Sequence, residues 1–231
     1  MMGCPHPGHD ALRTRLVIAA AAVPIVAVGL LNALYLGRLA HMPLAYWAAD
    51  IAQWVILPAI CLCALARFGA VAPAAYGLRG PSQDFPATHL VGAAVLATIL
   101  FAAVYFGAQA LAGRWLPATP AAFSYDALVP SGAMRVPVVV YFAASAGFVE
   151  EVVYRGLPLA VMGEAARTRA GACAYVAGTA LLFASIHWEG WLAALIPAFA
   201  VGVLAAVLYL RIGNLWPLVV AHTAVNLIDF W

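Results

Sequence analysis

The sequence contains no lysine, and only 9% of its 231 residues are charged. A soluble domain carries about 25% charged residues, so this scarcity excludes a soluble protein with a solvated surface. All eleven strongly basic residues are arginines and the formal net charge is +2. They are too few and too scattered for a nucleic-acid surface, and no nucleic-acid partner is expected. Cysteine is also sparse: Cys4, Cys61, Cys63 and Cys173. The last three lie in apolar runs and read as small hydrophobes rather than a disulfide framework. Cys4 precedes the first apolar stretch, which excludes a lipoprotein cysteine behind a signal sequence. With His6 and His9 it reads as a ragged polar N-terminus rather than a metal site.

What is present is apolar. Hydrophobic residues make up 66% of the chain and the mean hydropathy is +0.98. A membrane helix needs about 20 apolar residues. Segments at roughly 16–36, 45–66, 88–112, 136–162, 171–188, 191–210 and 214–230 qualify. The expected fold is all-α: a polytopic transmembrane bundle of about seven helices, one membrane-embedded domain over 1–231, with the lipid bilayer as its surroundings. The first segment, behind Arg13 and Arg15, is longer than a signal-peptide core and reads as an uncleaved anchor. The long connections are 67–87 and 113–135, the second an ordered or semi-extended loop holding Pro117, Pro120 and Pro130. With the N-terminus in the cytoplasm, Arg13, Arg15, Arg67, Arg79, Arg167, Arg169 and Arg211 fall inside, and Arg38, Arg114 and Arg135 outside. The positive-inside rule favours that orientation, with the C-terminus outside.

Polar groups inside apolar helices are costly and mark candidate sites. The fourth segment holds Glu150, Glu151 and Arg155. Glu151 and Arg155 are four apart and share a helix face, so they can pair. Glu150 points about 100° away and lacks that partner. A buried carboxyl in that position can accept or donate a proton. The plain alternative is an ion-pair cluster that locks helices together, but one arginine neutralises one carboxylate and here there are two. Pro158 removes the hydrogen bond to the Tyr154 carbonyl, and a kink there would open space for water. Tyr154, on the Glu150 face, reads equally as a site hydrogen-bonder or a packing tyrosine.

His187 closes the fifth segment between Trp188 and Trp191, where an interfacial histidine is the plain reading. His222 and Asn226 share a face of the seventh, where interhelical hydrogen bonding is the plain reading. Asp50 and Gln53 read as near-interface residues or a polar packing contact. Asn32, Glu189 and Asp229 read as solvated or capping residues near helix ends. Together, however, a glutamate, two histidines and an asparagine on three apolar helices need partners. A carboxylate with a histidine can hold and deprotonate water, and a second histidine with an asparagine can stabilise an oxyanion.

Glu150-Glu151-Val-Val-Tyr-Arg155, Phe183-x-x-x-His187 and His222-x-x-x-Asn226, in that order, resemble the motifs of the CAAX protease and bacteriocin-processing (Abi, type II CAAX prenyl protease) family. The stretches Gly202–Tyr209 and Gly213-Asn-Leu-Trp-Pro217, and the loop Tyr76-Gly-Leu-Arg-Gly-Pro-Ser82, are similar to family segments. The motif core is about 136–230. The resemblance implies an intramembrane glutamic endopeptidase acting on a membrane-embedded or membrane-delivered peptide or protein. Glu150 would activate water, His187 would help hold it, Glu151 and Arg155 would pair, and His222 and Asn226 would stabilise the oxyanion. No cofactor is expected. There is no His-Glu-x-x-His motif, and zinc would have to be held by Glu150, His187 and His222, which is disfavoured. The short chain departs from the prenyl-protein proteases and suits proteases that sort C-terminal membrane anchors or mature peptides. A non-catalytic immunity or scaffold protein of the same fold is the alternative. A transporter would need a polar path across the bilayer, and the first, third and sixth segments offer almost nothing polar to line one.

Overall fold

The computed structural model describes residues 7–39, 41–83, 85–116 and 128–231. Cys4, His6, Pro117 and Pro120 lie outside the described residues, as does the side chain of His9. Among the described residues there is no strand. Seven helical bodies follow one another: α1 (Pro7–Leu39), α2, α3 (Ala87–Trp115), α4, α5 (Arg169–Ser185), α6 (Trp191–Ile212) and α7 (Trp216–Asp229). Helix α2 runs as an α-helix Pro43–Ile51, a π-helical turn Ala52–Ile56 and an α-helix Leu57–Phe68. Helix α4 has the same build: Arg135–Glu151, a π-helical turn Val152–Gly156, then Leu157–Met162.

The two π-helical turns have a readable cause. Pro58 and Pro158 bring no backbone N–H and crowd the preceding turn. Just before each proline the chain takes the wider turn, with Leu57 N–H donating to the Ala52 carbonyl and Leu157 N–H to the Val152 carbonyl, five residues back. The kink expected at Pro158 is therefore a π bulge, a feature found at functional sites. It is braced from α5, where the Tyr175 hydroxyl donates to the Arg155 carbonyl at 3.1 Å.

Among the described residues, five stretches are long and apolar enough to cross a membrane: Ala11–Asn32, Leu44–Phe68, Ala87–Trp115, Gly132–Arg167 and Trp188–Ile212. Large apolar residues on them, such as Val91, Ile99 and Leu192, are exposed, as lipid-facing side chains are. The chain is an integral membrane protein. Helices α5 and α7 are shorter than the expected spans, with 17 and 14 residues. At 1.5 Å per residue they measure about 26 and 21 Å, short of the hydrocarbon core of about 30 Å. Hydropathy had merged their ends with neighbouring turns, and His187 lies in the turn beyond Ser185 rather than on the helix. These two short helices carry or adjoin both histidine motifs.

Helix α7 packs between α3 and α4, and α5 packs on α6. Small residues permit both approaches. A Cβ on Gly147 would come within 2.9 Å of the Thr223 backbone nitrogen, and one on Gly202 within 2.9 Å of the Ala180 Cα. Helices α4 and α7 run antiparallel: Phe142 packs against Phe230, Gly147 against Thr223, and Glu150 against His222. At the opposite end, the 73–82 loop hooks onto the α6–α7 turn. Leu215 N–H donates to the Gly77 carbonyl at 2.9 Å, and Asn214 Nδ2 to the Arg79 carbonyl at 2.8 Å. That contact fixes where α7 begins and hence the height of His222.

Candidate active site

Glu150 and Glu151 sit at the last turn before the α4 bulge, buried to 5% and 0% exposure, with Arg155 fully buried inside the bulge. The pairing read from their spacing is present: Arg155 Nη1 lies 3.4 Å from Glu151 Oε1. Glu151 also has a second partner. His222 Nδ1 is 2.8 Å from the same oxygen. A carboxylate can only accept, so Nδ1 carries the proton and donates it. This turns His222 Nε2 toward Glu150, whose Oε2 is 3.5 Å away. His222 thus bridges the two glutamates, one on each ring nitrogen.

His187 is oriented in the same way by a different acceptor. Its Nδ1 lies 3.0 Å from the Phe183 carbonyl. A carbonyl accepts, so the proton is on Nδ1 and the lone pair of the neutral ring is on Nε2. Phe183 sits between the groups. Its ring meets His187 at 4.9 Å, His222 at 5.9 Å and Tyr154 at 5.7 Å, with the Arg155 guanidinium 4.1 Å from its centroid. The phenylalanine of the Phe-x-x-x-His motif therefore holds both histidines apart and covers the arginine by a cation–π contact. Tyr154 belongs to this packing, with its hydroxyl beside Gly29 of α1.

Glu150, His187, His222 and Asn226 line one cavity of about 610 Å³. Glu151 and Arg155 do not line it and stand behind His222. The six residues picked out by the sequence thus form two layers, four on the cavity and two supporting them. Among the described residues no group of three His, Cys, Asp or Glu side chains is arranged to hold a metal ion.

Four polar residues belong to this cavity that the sequence had not placed there: Asp229 at the exposed end of α7, Asn32, Glu189 and Asp50. Asn32 is 4% exposed and lines it, rather than being solvated at a helix end, because α1 continues to Leu39. Glu189 is not a solvated cap. The Trp188–Gly190 turn folds back so that this side chain lines the cavity. Asp50 is 1% exposed and accepts hydrogen bonds from Tyr141 at 2.7 Å and Tyr46 at 3.3 Å. The sequence held one signal for it: Asp50 precedes Pro58, and Glu150 precedes Pro158, by the same eight residues.

Residues 132–228 match the family model for the Rce1-like type II CAAX prenyl endopeptidase. The match contains all six motif residues and leaves out Asp50 and Asp229. No curated protein and no solved structure matches the chain.

Proposed function

Because residues 132–228 match the Rce1-like type II CAAX prenyl endopeptidase model and the chain is an integral membrane protein, we propose that it is an intramembrane endopeptidase of glutamic type, hydrolysing a peptide bond in a membrane-embedded or membrane-delivered substrate. The observation that carries this reading is the bridge of His222 between Glu151 at 2.8 Å and Glu150 at 3.5 Å, on the wall of a cavity shared with His187 and Asn226.

In this reading Glu150 is the general base. Water sits between Glu150 and the Nε2 lone pair of His187. Its oxygen adds to the scissile carbonyl carbon while one proton passes to Glu150. The carbonyl electron pair moves onto oxygen, and the oxyanion is held by the Asn226 side-chain amide and by a His222 ring that in this step carries a proton on both nitrogens, Nδ1–H on Glu151 and Nε2–H on the oxyanion. Glu151 offsets the charge on the His222 ring. The tetrahedral intermediate collapses by breaking the C–N bond, and the proton held by Glu150 goes to the departing nitrogen. The products are a carboxylic acid and an amine. No side chain is acylated and no metal is required.

The arginine distribution supports a cytoplasmic N-terminus. The cavity then reaches the outer end of the bundle, where α3 ends, α4 begins and α7 ends. A substrate arriving from that side fits a protease that trims C-terminal membrane anchors or matures peptides in a bacterial inner membrane. The test is cleavage by purified protein in proteoliposomes, using anchored or small peptides encoded beside its gene. Glu150→Gln and His187→Ala are expected to abolish cleavage while inserting and folding normally, with no effect of chelator on the native protein. Full cleavage by both variants would overturn the mechanism. Loss with chelator, restored by zinc, would replace the metal-free step.

A further inference from the structure

Helix α7 has two faces. Leu218, Ala221, His222 and Val225 turn into the bundle and are buried. Trp216 and Val220, 40% and 50% exposed, turn outward and form with α3 an apolar groove of about 450 Å³ on the lipid side. Along α3 the groove runs from Leu90 to Ile99. Its one hydroxyl, that of Thr98, donates to the Ala94 carbonyl at 2.8 Å, so the groove fits a hydrocarbon chain. From Leu90 to Ile99 is about 14 Å at 1.5 Å per residue. That is about half of a hydrocarbon core about 30 Å thick, the depth of one leaflet and of one acyl chain. A membrane-spanning segment of a substrate or of a second copy needs the whole thickness.

Where α7 begins, the groove meets positive charge. Asn214 joins the two: its Nδ2 donates to the Arg79 carbonyl at 2.8 Å, and its Oδ1 accepts from the Trp216 backbone N–H at 3.0 Å. Arg79 is exposed, with its Nε donating to the Ala74 carbonyl at 3.1 Å. Arg211, three residues before Asn214 in the last turn of α6, is exposed as well. Neither arginine makes an ion pair among the described residues. Glu164, the one acid at this end of the bundle whose side chain is described, is taken by Arg167 at 3.2 Å. On its inner side Trp216 meets the Phe148 ring at 6.2 Å. The Phe148 carbonyl accepts from Val152 N–H around the turn that carries Glu150 and Glu151, so the groove backs onto the glutamates.

We propose that this groove seats one acyl chain of an anionic phospholipid whose headgroup lies on Arg79 and Arg211. The chain itself discriminates little, because the lipid tails it leaves are as apolar as the groove. The headgroup decides: each arginine favours an anionic lipid about fivefold, and two favour it about 25-fold. The lipid bridges the 73–82 loop and the start of α7, the contact that sets the height of His222. It thereby supports the glutamate–histidine cluster from behind. The seat itself stands whether or not the chain cleaves peptides.

The test reads lipid contact rather than cleavage. The protein is placed in phosphatidylcholine nanodiscs with added phosphatidylglycerol or phosphatidylcholine that carries a doxyl quencher on one acyl chain. The fluorescence due to Trp216 is the difference between wild type and Trp216→Phe. Phosphatidylglycerol is expected to quench that share with about 25-fold higher apparent affinity, and Arg79→Gln or Arg211→Gln to lower the ratio about fivefold each. Native mass spectrometry gives a second reading that does not need Trp216→Phe. Wild type should retain phosphatidylglycerol over phosphatidylcholine, the double arginine variant should retain both alike, and Val220→Trp, which fills the groove, should lose the preference with both arginines in place. Equal quenching by the two lipids overturns the proposal, as does a preference that survives both arginine changes or the filled groove. Trp216 left unquenched in a protein of dimeric mass gives the groove to a second copy. Displacement of the quencher by an apolar anchor peptide at equal mole fraction gives it to a substrate. Either result overturns the lipid seat and leaves the protease reading standing; a lipid preference in a protein that cleaves nothing keeps the seat and sinks the protease reading.

Discussion

Helices α2 and α4 use one local device in two settings. Each carries an acid eight residues before a proline, and each takes a π-helical turn just before that proline. Around Glu150 the neighbours are ionisable: Glu151, Arg155 and His222. Around Asp50 they are phenols, from Tyr46 and Tyr141. The device places a carboxylate on a cavity wall, and the neighbours decide what it does there. A carboxylate beside an imidazole can exchange a proton with it. One held by two phenols has fixed donors and is suited to binding charge.

The comparison can be broken where the two settings differ most. Removing Glu151 strands Arg155 in the interior, whereas changing Asp50 leaves only neutral phenols behind. Glu151→Gln should therefore cost about 3–5 kcal/mol of folding free energy, as for a broken buried ion pair. Asp50→Asn, which keeps one acceptor oxygen, should cost about 1–2 kcal/mol. Denaturant titration in bicelles reads both, and equal losses would mean that the two acids are held alike. Next in size, His222→Ala should lower the cleavage rate about 100- to 1,000-fold, as for loss of an oxyanion donor, with Tyr141→Phe changing it less than tenfold. Steady-state kinetics on one substrate decides between them. Smallest are the prolines. Pro158→Ala should slow cleavage several-fold by tightening the bulge under Glu150, while Pro58→Ala should act on substrate KM rather than on kcat.

The seven helical bodies were legible because long apolar runs at low charge leave few other folds. The Glu150–Glu151–Arg155 cluster was legible because three ionisable residues within six positions stand out in such a run. The lengths of α5 and α7 were not, since hydropathy counts apolar turn residues together with helix. For Asp50 the sequence left two readings, interfacial or a polar packing contact, and the structure shows the second; its partner Tyr141, 91 positions further on, was not legible. Asn32 and Glu189 were misplaced for a related reason: one depends on where α1 stops and the other on the direction of a short turn. The family resemblance set His187 beside Glu150 through a water. The contact that closes on Glu150 is His222, which depends on the α4–α7 register that Gly147 permits.

Of the two cavity carboxylates set before a proline, we propose that Glu150 performs the chemistry. The most direct measurement is kcat for Glu150→Gln beside kcat for Asp50→Asn, in the same proteoliposomes and on the same peptide. The expected result is a fall of about 1,000-fold or more for Glu150→Gln, the size of losing a general base, with kcat for Asp50→Asn within about tenfold of wild type. A Glu150→Gln protein that keeps its kcat, or an Asp50→Asn protein that loses as much, would contradict it.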